Sequence, residues 1–472
     1  MDQGRITDCK QKAFRINLNR KLYGTFAEIG AGQEVARNFF TAGAAAGTIA
    51  KTMSAYDMKV SDDIYGKSKR YVSKERLETM LNKEFNLVVD RLKEQRDEDT
   101  QFFAFADTVA AKSYGSTLDG QGWLGVRFQH YPAAEYSQII LHVKMKDKEN
   151  LQQQEALGIM GVNIIYACFY HLESSRREFT ESLMDGLSTE RIEIDMISIE
   201  GPAYKGIDSR LASLELVKRD FCQAIMFDEN GNVCQPSDAL YKKNILVCRG
   251  SFRPPTLVNM DMIKAGVEQF QKEVKEGDKD NILVLPEISM NKLLQREGKL
   301  DNEDFLSRVN LLNEMGHKVL ITRFQRFHEL SMYLGRATKL KIGFVLGVFN
   351  LADLFSDDQY INHPYGLLGA LGNLVGHHTS IYVYPQKDDD SEKILNFQNA
   401  SLPKHVQPLL DYLCERKHFS DLTNYDKSVF GIWSRTVLSM IQTGEEGWEK
   451  MVPKSVANSV KEKKLFGYTG ES

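Results

Sequence analysis

The sequence predicts an α/β protein with a helical N-terminal region, then mixed and antiparallel strands, then a mostly parallel sheet flanked by helices. Three observations carry that expectation. Residues 73–96 repeat apolar side chains every three to four positions. Between residues 102 and 147 the apolar period shortens to two, with glycine- or proline-containing breaks. Beyond residue 207, short and continuously apolar runs alternate with helical segments, the pattern of a parallel sheet covered on both faces.

Taken in order, residues 1–100 read as mostly helical. Their most distinctive stretch is Glu28–Ala55, dense in glycine and alanine, within which Gln33–Met53 reads as one helix with a smooth face. Small side chains let another backbone approach closely. Such a face can bury against the chain's own core or against a neighbouring subunit, and for the second Gly30, Gly32, Ala42, Gly43, Ala46, Gly47 and Ala50 are the self-association candidates. Ser73 is placed to cap the next helix, which carries Leu77, Leu81, Phe85, Val88 and Leu92 along one face. Strands are expected at 102–111, 123–129 and 139–147, helices at 151–171 and 176–187, and a cleanly alternating strand at 191–201. Strands at 222–228, 244–250, 281–287, 317–324, 340–349 and 378–385 then alternate with helices at 207–221, 260–275, 301–315 and 325–336. Helices near 403–416 and 427–443 precede a charged tail, expected to be flexible from Pro453. Four regions follow: 1–100, 101–275, 276–452 and 453–472.

A chain of 472 residues suits two or three domains. Its formal net charge of -4 gives no footprint for nucleic acid. The six cysteines lack CxxC spacing, as reduced thiols do in a cytosolic protein. The N-terminus lacks an apolar signal block, and the longest apolar run, 156–170, is interrupted by Asn163. It falls short of the about 20 apolar residues a spanning helix needs, so a cytoplasmic location without a membrane span is expected. His363, His377 and His378 sit in no HExxH or HxH frame, and no metal site is expected. No GxSxG or GxxxxGK[ST] motif occurs.

Ligands of parallel α/β sheets bind outside the carboxyl ends of the strands. Reading those ends collects Arg249, Ser251, Arg253, Glu287, Arg323 and Asn350, with Asp353 beyond. Two or three arginines around one crevice suit a phosphate or carboxylate; the alternative is that they pair with helix C-termini or carboxylates to finish the sheet edge. Glu28-Ile-Gly-Ala-Gly resembles the start of a dinucleotide-binding turn. Glu34 and Val35 stand where its third glycine belongs, and Asp57 is a poor match for its acidic residue. Glu200, Glu287 and Asp353 could serve acid–base chemistry, but any large α/β protein offers such carboxylates.

The segments 24–40, 44–58, 70–77, 153–166 and 249–262 resemble those of an uncharacterised bacterial protein family of similar length. Its members are sometimes labelled TonB-dependent receptors or nicotinate-nucleotide adenylyltransferases. The first label implies an export signal and a train of barrel strands, and the second an HxGH motif. This sequence shows none of them.

Two functional expectations result. The leading one is a cytoplasmic, self-associating structural protein that forms filaments or other homopolymers, with copies of itself as partner. The alternative is an enzyme or sensor that binds a nucleotide or other phosphorylated small molecule at the strand ends. No cofactor is assigned.

Overall fold

Two stretches of chain each close around a sheet of their own, Met1–Gln223 and Ala224–Ser472. The computed structural model describes residues 5–113, 119–294, 300–376, 378–388, 393–400 and 402–470. The expected divisions after residues 100 and 275 each separate strands that pair: β1 from β3, and β9 from β10 in the labels below.

The first unit runs α1 (Cys9–Leu18), β1 (Leu22–Gly30), α2 (Val35–Ala42), β2 (Ile49–Ala55), α3 (Met58–Tyr65), α4 (Lys74–Leu92), β3 (Gln101–Ala110), β4 (Gly120–Phe128), β5 (Ser137–Met145), α5 (Asn150–Tyr170), α6 (Arg176–Leu183), β6 (Ile192–Glu200) and α7 (Ser209–Lys218). Its strands lie in the order β2-β1-β3-β4-β5-β6. β1 is parallel to both β2 and β3, and the remaining pairs are antiparallel. Successive residues of a strand point to opposite faces. Phe105 of β3 faces Gly161 of α5, whereas Gly125, opposite Ala106, faces Leu77 and Leu81 of α4.

Asn163, the polar interruption of the long apolar helix, is a hub. Its amide nitrogen donates to the carbonyls of Leu183 and Asp185 at 2.9 and 2.8 Å. Its oxygen accepts from Lys12 Nζ at 2.8 Å, and Lys12 also reaches Ser182 O and Asp185 Oδ2 at 3.0 and 2.7 Å. Full burial of Lys12 is tolerated because its three donors are all used.

The N-terminal region departs from expectation. Leu22–Gly30 is a central strand, and the single helix expected over Gln33–Met53 does not form. α2 stops at Ala42 because Gly43 (φ 89°) and Ala44 (φ 59°) turn left-handed. Ala46 and Gly47 then lie in a short 3-10 turn and Ala50 in β2, which pairs with β1. Gly30 closes β1, and Gly32 is buried in the loop after it. The seven small residues therefore share no single helical face.

The second unit runs β7 (Ala224–Phe227), β8 (Val233–Cys234), α8 (Pro236–Leu240), β9 (Asn244–Arg249), α9 (Leu257–Glu273), β10 (Ile282–Ser289), α10 (Met290–Leu293), α11 (Asn302–Glu314), β11 (Val319–Thr322), α12 (Phe327–Ala337), β12 (Ile342–Gly347), α13 (Asn350–Leu354), α14 (Gly366–Val375), β13 (Thr379–Tyr384), β14 (Gln386–Lys387), β15 (Ile394–Leu395), α15 (Gln407–Glu415), β16 (Phe419–Asp421), α16 (Ser434–Thr443) and α17 (Lys454–Glu462). Its main sheet has the order β16-β13-β12-β9-β10-β11-β7-β8. The six strands from β16 to β11 are parallel, and β7 and β8 add an antiparallel edge.

Both faces of this sheet are apolar. Ile245, Val247, Phe344 and Ile381 join one buried cluster, while Leu246, Val345 and Tyr382 join another that includes Phe270 of α9. The tail expected to be flexible instead contributes α17, whose buried Val456 and Val460 pack with Trp448, Val437 and Leu311. Its charged residues hid a helix with one apolar stripe.

Gly161 permits the close contact of α5 with α2: an added Cβ would lie 2.3 Å from Val35 Cγ2. Gly161→Val is expected to lower stability by roughly 1–3 kcal/mol through overpacking, measured by urea unfolding. An unchanged midpoint would show that the two helices separate without cost.

Candidate ligand site at the carboxyl ends of the parallel strands

Numbered from β9, the six parallel strands of the second unit follow the order 3-2-1-4-5-6. In such a sheet the chain leaves the first and fourth strands toward opposite sides, which opens a crevice at their carboxyl ends. Here those strands are β9 and β12, with Val345 opposite Cys248. The loops that begin at Gly250 and Val348 therefore border the crevice.

The arginine at the end of β9 is committed within the protein. Arg249 Nε and Nη2 donate to the two Glu287 oxygens at 2.6 and 3.2 Å. Nη2 and Nη1 also reach the carbonyls of Phe324 and Gln325 at 3.0 and 2.9 Å. Glu287, fully buried, accepts a further bond from Thr322 Oγ1 at 2.5 Å. This network ties the ends of β9, β10 and β11 together. Arg249 and Glu287 thus match the alternative reading of the sequence, in which the pair finishes the sheet edge.

Arg253 is placed differently. Its Nε donates to Asp304 Oδ1 at 2.5 Å, and no other described residue bonds its terminal nitrogens. Asp304 also accepts from Arg308, one helical turn along α11. Arg308 is buried; its Nη1 donates to the carbonyls of Lys292 and Ser251 at 2.6 and 3.4 Å, and its Nε has no partner. Two guanidinium groups thus share the carboxylate of Asp304, and Asp301 adds negative charge near Arg308.

The loop itself is firmly held. Phe252 sits fully buried with φ 45°, a left-handed conformation that costs a bulky residue roughly 1–3 kcal/mol. Thr256 and Asn259 lock the entry to α9, where Asn259 Oδ1 accepts from the Thr256 backbone and hydroxyl, both at 3.0 Å. Ser434 Oγ donates to Pro254 O at 3.2 Å, which brings the start of α16 against the loop. Across the crevice, Asn350 Nδ2 donates to Gly347 O at 3.1 Å. Arg323 follows β11 and is exposed.

Ser251 and Arg253 thus lie in the loop after β9 and Asn350 at the start of α13 after β12, while Arg249 and Glu287 tie the strand ends together. Asp304 and Arg308 were missed, although their spacing of four on a predicted helix was a readable pairing signal. Trp433 was missed as well, and nothing in its local sequence ties it to the β9 loop.

The first unit has a comparable junction, since β1 lies between β2 and β3 and is parallel to both. A strand, Gly30-Ala31-Gly32 and a helix do occur in succession, as a dinucleotide-binding turn requires. However, Glu28 fills the anion position: Oε1 and Oε2 accept from Val35 N and Ala36 N, at 2.8 and 3.3 Å, at the start of α2. Asp107 is directly opposite Glu28 in the register. It is fully buried, accepts from Ile29 N at 3.2 Å through Oδ1, and leaves Oδ2 without a partner. Gly32 packs against this carboxyl, so closely that an added Cβ would lie 2.5 Å from Oδ2.

Burial pushes Asp107 well above the carboxylate range and Glu28 up to about 7, and each carboxyl is raised further by nearby negative charge. The two amide bonds draw the Glu28 value back down, and the amide of Ile29 does the same for Asp107 through Oδ1. Among the described residues no group of three or more His, Cys, Asp or Glu is arranged to hold a metal ion. His363 pairs with Asn373 at 3.3 Å, and His377 lies outside the described residues. No helix among the described residues is long and apolar enough to cross a membrane.

Neither protein-family models nor curated proteins give a match to this chain. Among solved structures, it is similar to the competence/damage inducible protein CihA from Agrobacterium tumefaciens. The identity is 17% and the TM-score 0.27, over 36% of this chain and 99% of that one. A CinA superfamily protein from Klebsiella pneumoniae is similar at 15% identity and TM-score 0.24, over 34% of this chain and 94% of that one.

Two outcomes follow from the buried carboxyls. The folded first unit holds its proton to a higher pH than the unfolded chain does. The contribution of Glu28 to stability is complete below about 4.5 and falls as pH rises toward about 7, and that of Asp107 falls with rising pH in the same sense. Asp107→Asn, which mimics the neutral acid, is expected to flatten that decline in thermal melts from pH 5 to 8; a parallel decline in both proteins would exclude the pair as its source. Glu287→Ala strands Arg249 at the sheet edge and is expected to cost roughly 3–5 kcal/mol in denaturant unfolding. A loss below about 1 kcal/mol, the range of an exposed pair, would show that the network holds nothing together.

Proposed function

We propose that the second unit binds a phosphorylated small molecule in the crevice between the ends of β9 and β12, as the binding module of an enzyme or sensor. The observation that carries this reading is the arrangement at the β9 loop, where Arg253 and Arg308 share the carboxylate of Asp304 and Arg253 engages it through Nε alone. Arg253 presents its terminal nitrogens to a ligand, and a guanidinium fork matches phosphate oxygens in geometry as well as charge. Arg308 stands behind it and keeps Asp304 occupied. The doubly wound strand order supports the location through a rule about folds, and the charge supports the ligand class.

The leading expectation from the sequence, self-assembly through a glycine–alanine face, lacks this kind of support. The helix that would carry the face is divided among α2, a turn and β2. Ligand binding is therefore the reading advanced.

Calorimetric titration of the full chain with ribose 5-phosphate and with inorganic phosphate tests the proposal. Arg253→Ala leaves Asp304 paired with Arg308, so the variant is expected to stay folded. It is expected to bind roughly tenfold or more weakly, the scale of a lost hydrogen bond between charged groups. Equal binding by the variant and the parent would sink the assignment.

A further inference from the structure

We infer that the ligand of this crevice is a nucleotide, with its base stacked on Phe349 and Trp433. This rests on the phosphate reading above and narrows it. Of the three tryptophans, Trp123 and Trp448 are buried at 4% and 2% exposure, whereas Trp433 is 38% exposed. Phe349 is 47% exposed, two residues beyond the end of β12. An apolar ring left in water forfeits the stabilisation of burial, so an exposed pair at a binding crevice is informative.

Both rings belong to the crevice by connectivity. Phe349 follows Val348, whose amide donates to Tyr384 O at 3.0 Å at the ends of β12 and β13. Trp433 precedes Ser434, which bonds the carbonyl of Pro254, the residue after Arg253. The ring centroids are 6.1 Å apart with planes inclined at 39°, so the rings lean together without closing on each other. An aromatic base can stack on such a platform whatever its identity, because every base has a π-face. Asn350 and Asp353, both exposed on α13, supply hydrogen-bonding groups beside the rings. A base at the rings and a phosphate at Arg253 would use the two features of the crevice that the protein does not use itself.

The experiment compares ATP, GTP, CTP, UTP and NAD with ribose 5-phosphate, the base-free control, on the full chain. Trp433 serves as the fluorescent reporter, and calorimetry gives affinities. At least one nucleotide is expected to quench the fluorescence and to bind at least about tenfold more tightly than ribose 5-phosphate. Phe349→Ala and Trp433→Ala, checked for folding by circular dichroism, are each expected to weaken nucleotide binding roughly tenfold and leave ribose 5-phosphate unaffected. Equal affinity for nucleotides and ribose 5-phosphate, untouched by either variant, would overturn the stacked base and leave the phosphate reading standing. No binding of any of these compounds would overturn both.

Discussion

A carboxylate with no exposure at all has to be compensated, and Glu287 is compensated by the ends of three strands. Arg249 of β9 and Thr322 of β11 both donate to it, and Arg249 extends the tie to the carbonyls of Phe324 and Gln325. Removing a charge from water costs several kcal/mol unless geometry and hydrogen bonding restore it. The strand ends are therefore held where those bonds require, and the β9 loop leaves the sheet from a fixed point. The buried Phe252 and the Thr256–Asn259 lock then fix the path of the loop past Arg253. Everything ascribed to the crevice depends on that frame.

The same constraint distinguishes the arginines. Arg249 is matched to a carboxylate and two carbonyls, so little of its donor capacity is left for a ligand. Arg253 and Arg308 share Asp304, and the terminal nitrogens of Arg253 take no part in that bond. In the first unit the balance falls the other way. The amides at the start of α2, a natural seat for a phosphate, are taken by Glu28, and Asp107 opposite it is kept neutral by burial. A strand–glycine–helix sequence is thus not an anion site where the protein supplies the anion.

Much of the secondary structure was legible in the residues. The continuous apolar runs of β9, β10 and β12 report burial on two faces directly, whereas β6, which reads as alternating, is buried on both faces like β3 to β5. Ser73 accepts from Arg76 N at 3.2 Å, as the capping pattern implied. The glycine–alanine stretch was not legible. Alanine favours helix, and only the left-handed turn at Gly43 and Ala44 and the pairing of β2 with β1 reveal a strand. Propensity there was overridden by tertiary pairing. The polar strand ends were found because their position in a parallel sheet is predictable, but which arginine was already paired was not.

The sequence by itself determined the α/β class, the doubly covered parallel sheet and the strand ends that carry polar groups. These follow from periodicity, which is local. Tertiary structure alone decided that Arg249 belongs to Glu287, that Arg253 and Arg308 share Asp304, and that Ser434, next to Trp433, bonds the β9 loop. Those pairings join residues 38, 51 and 180 positions apart or close a contest between two arginines for one carboxylate. Electrostatic compensation depends on distance in space, and the chain order does not contain it.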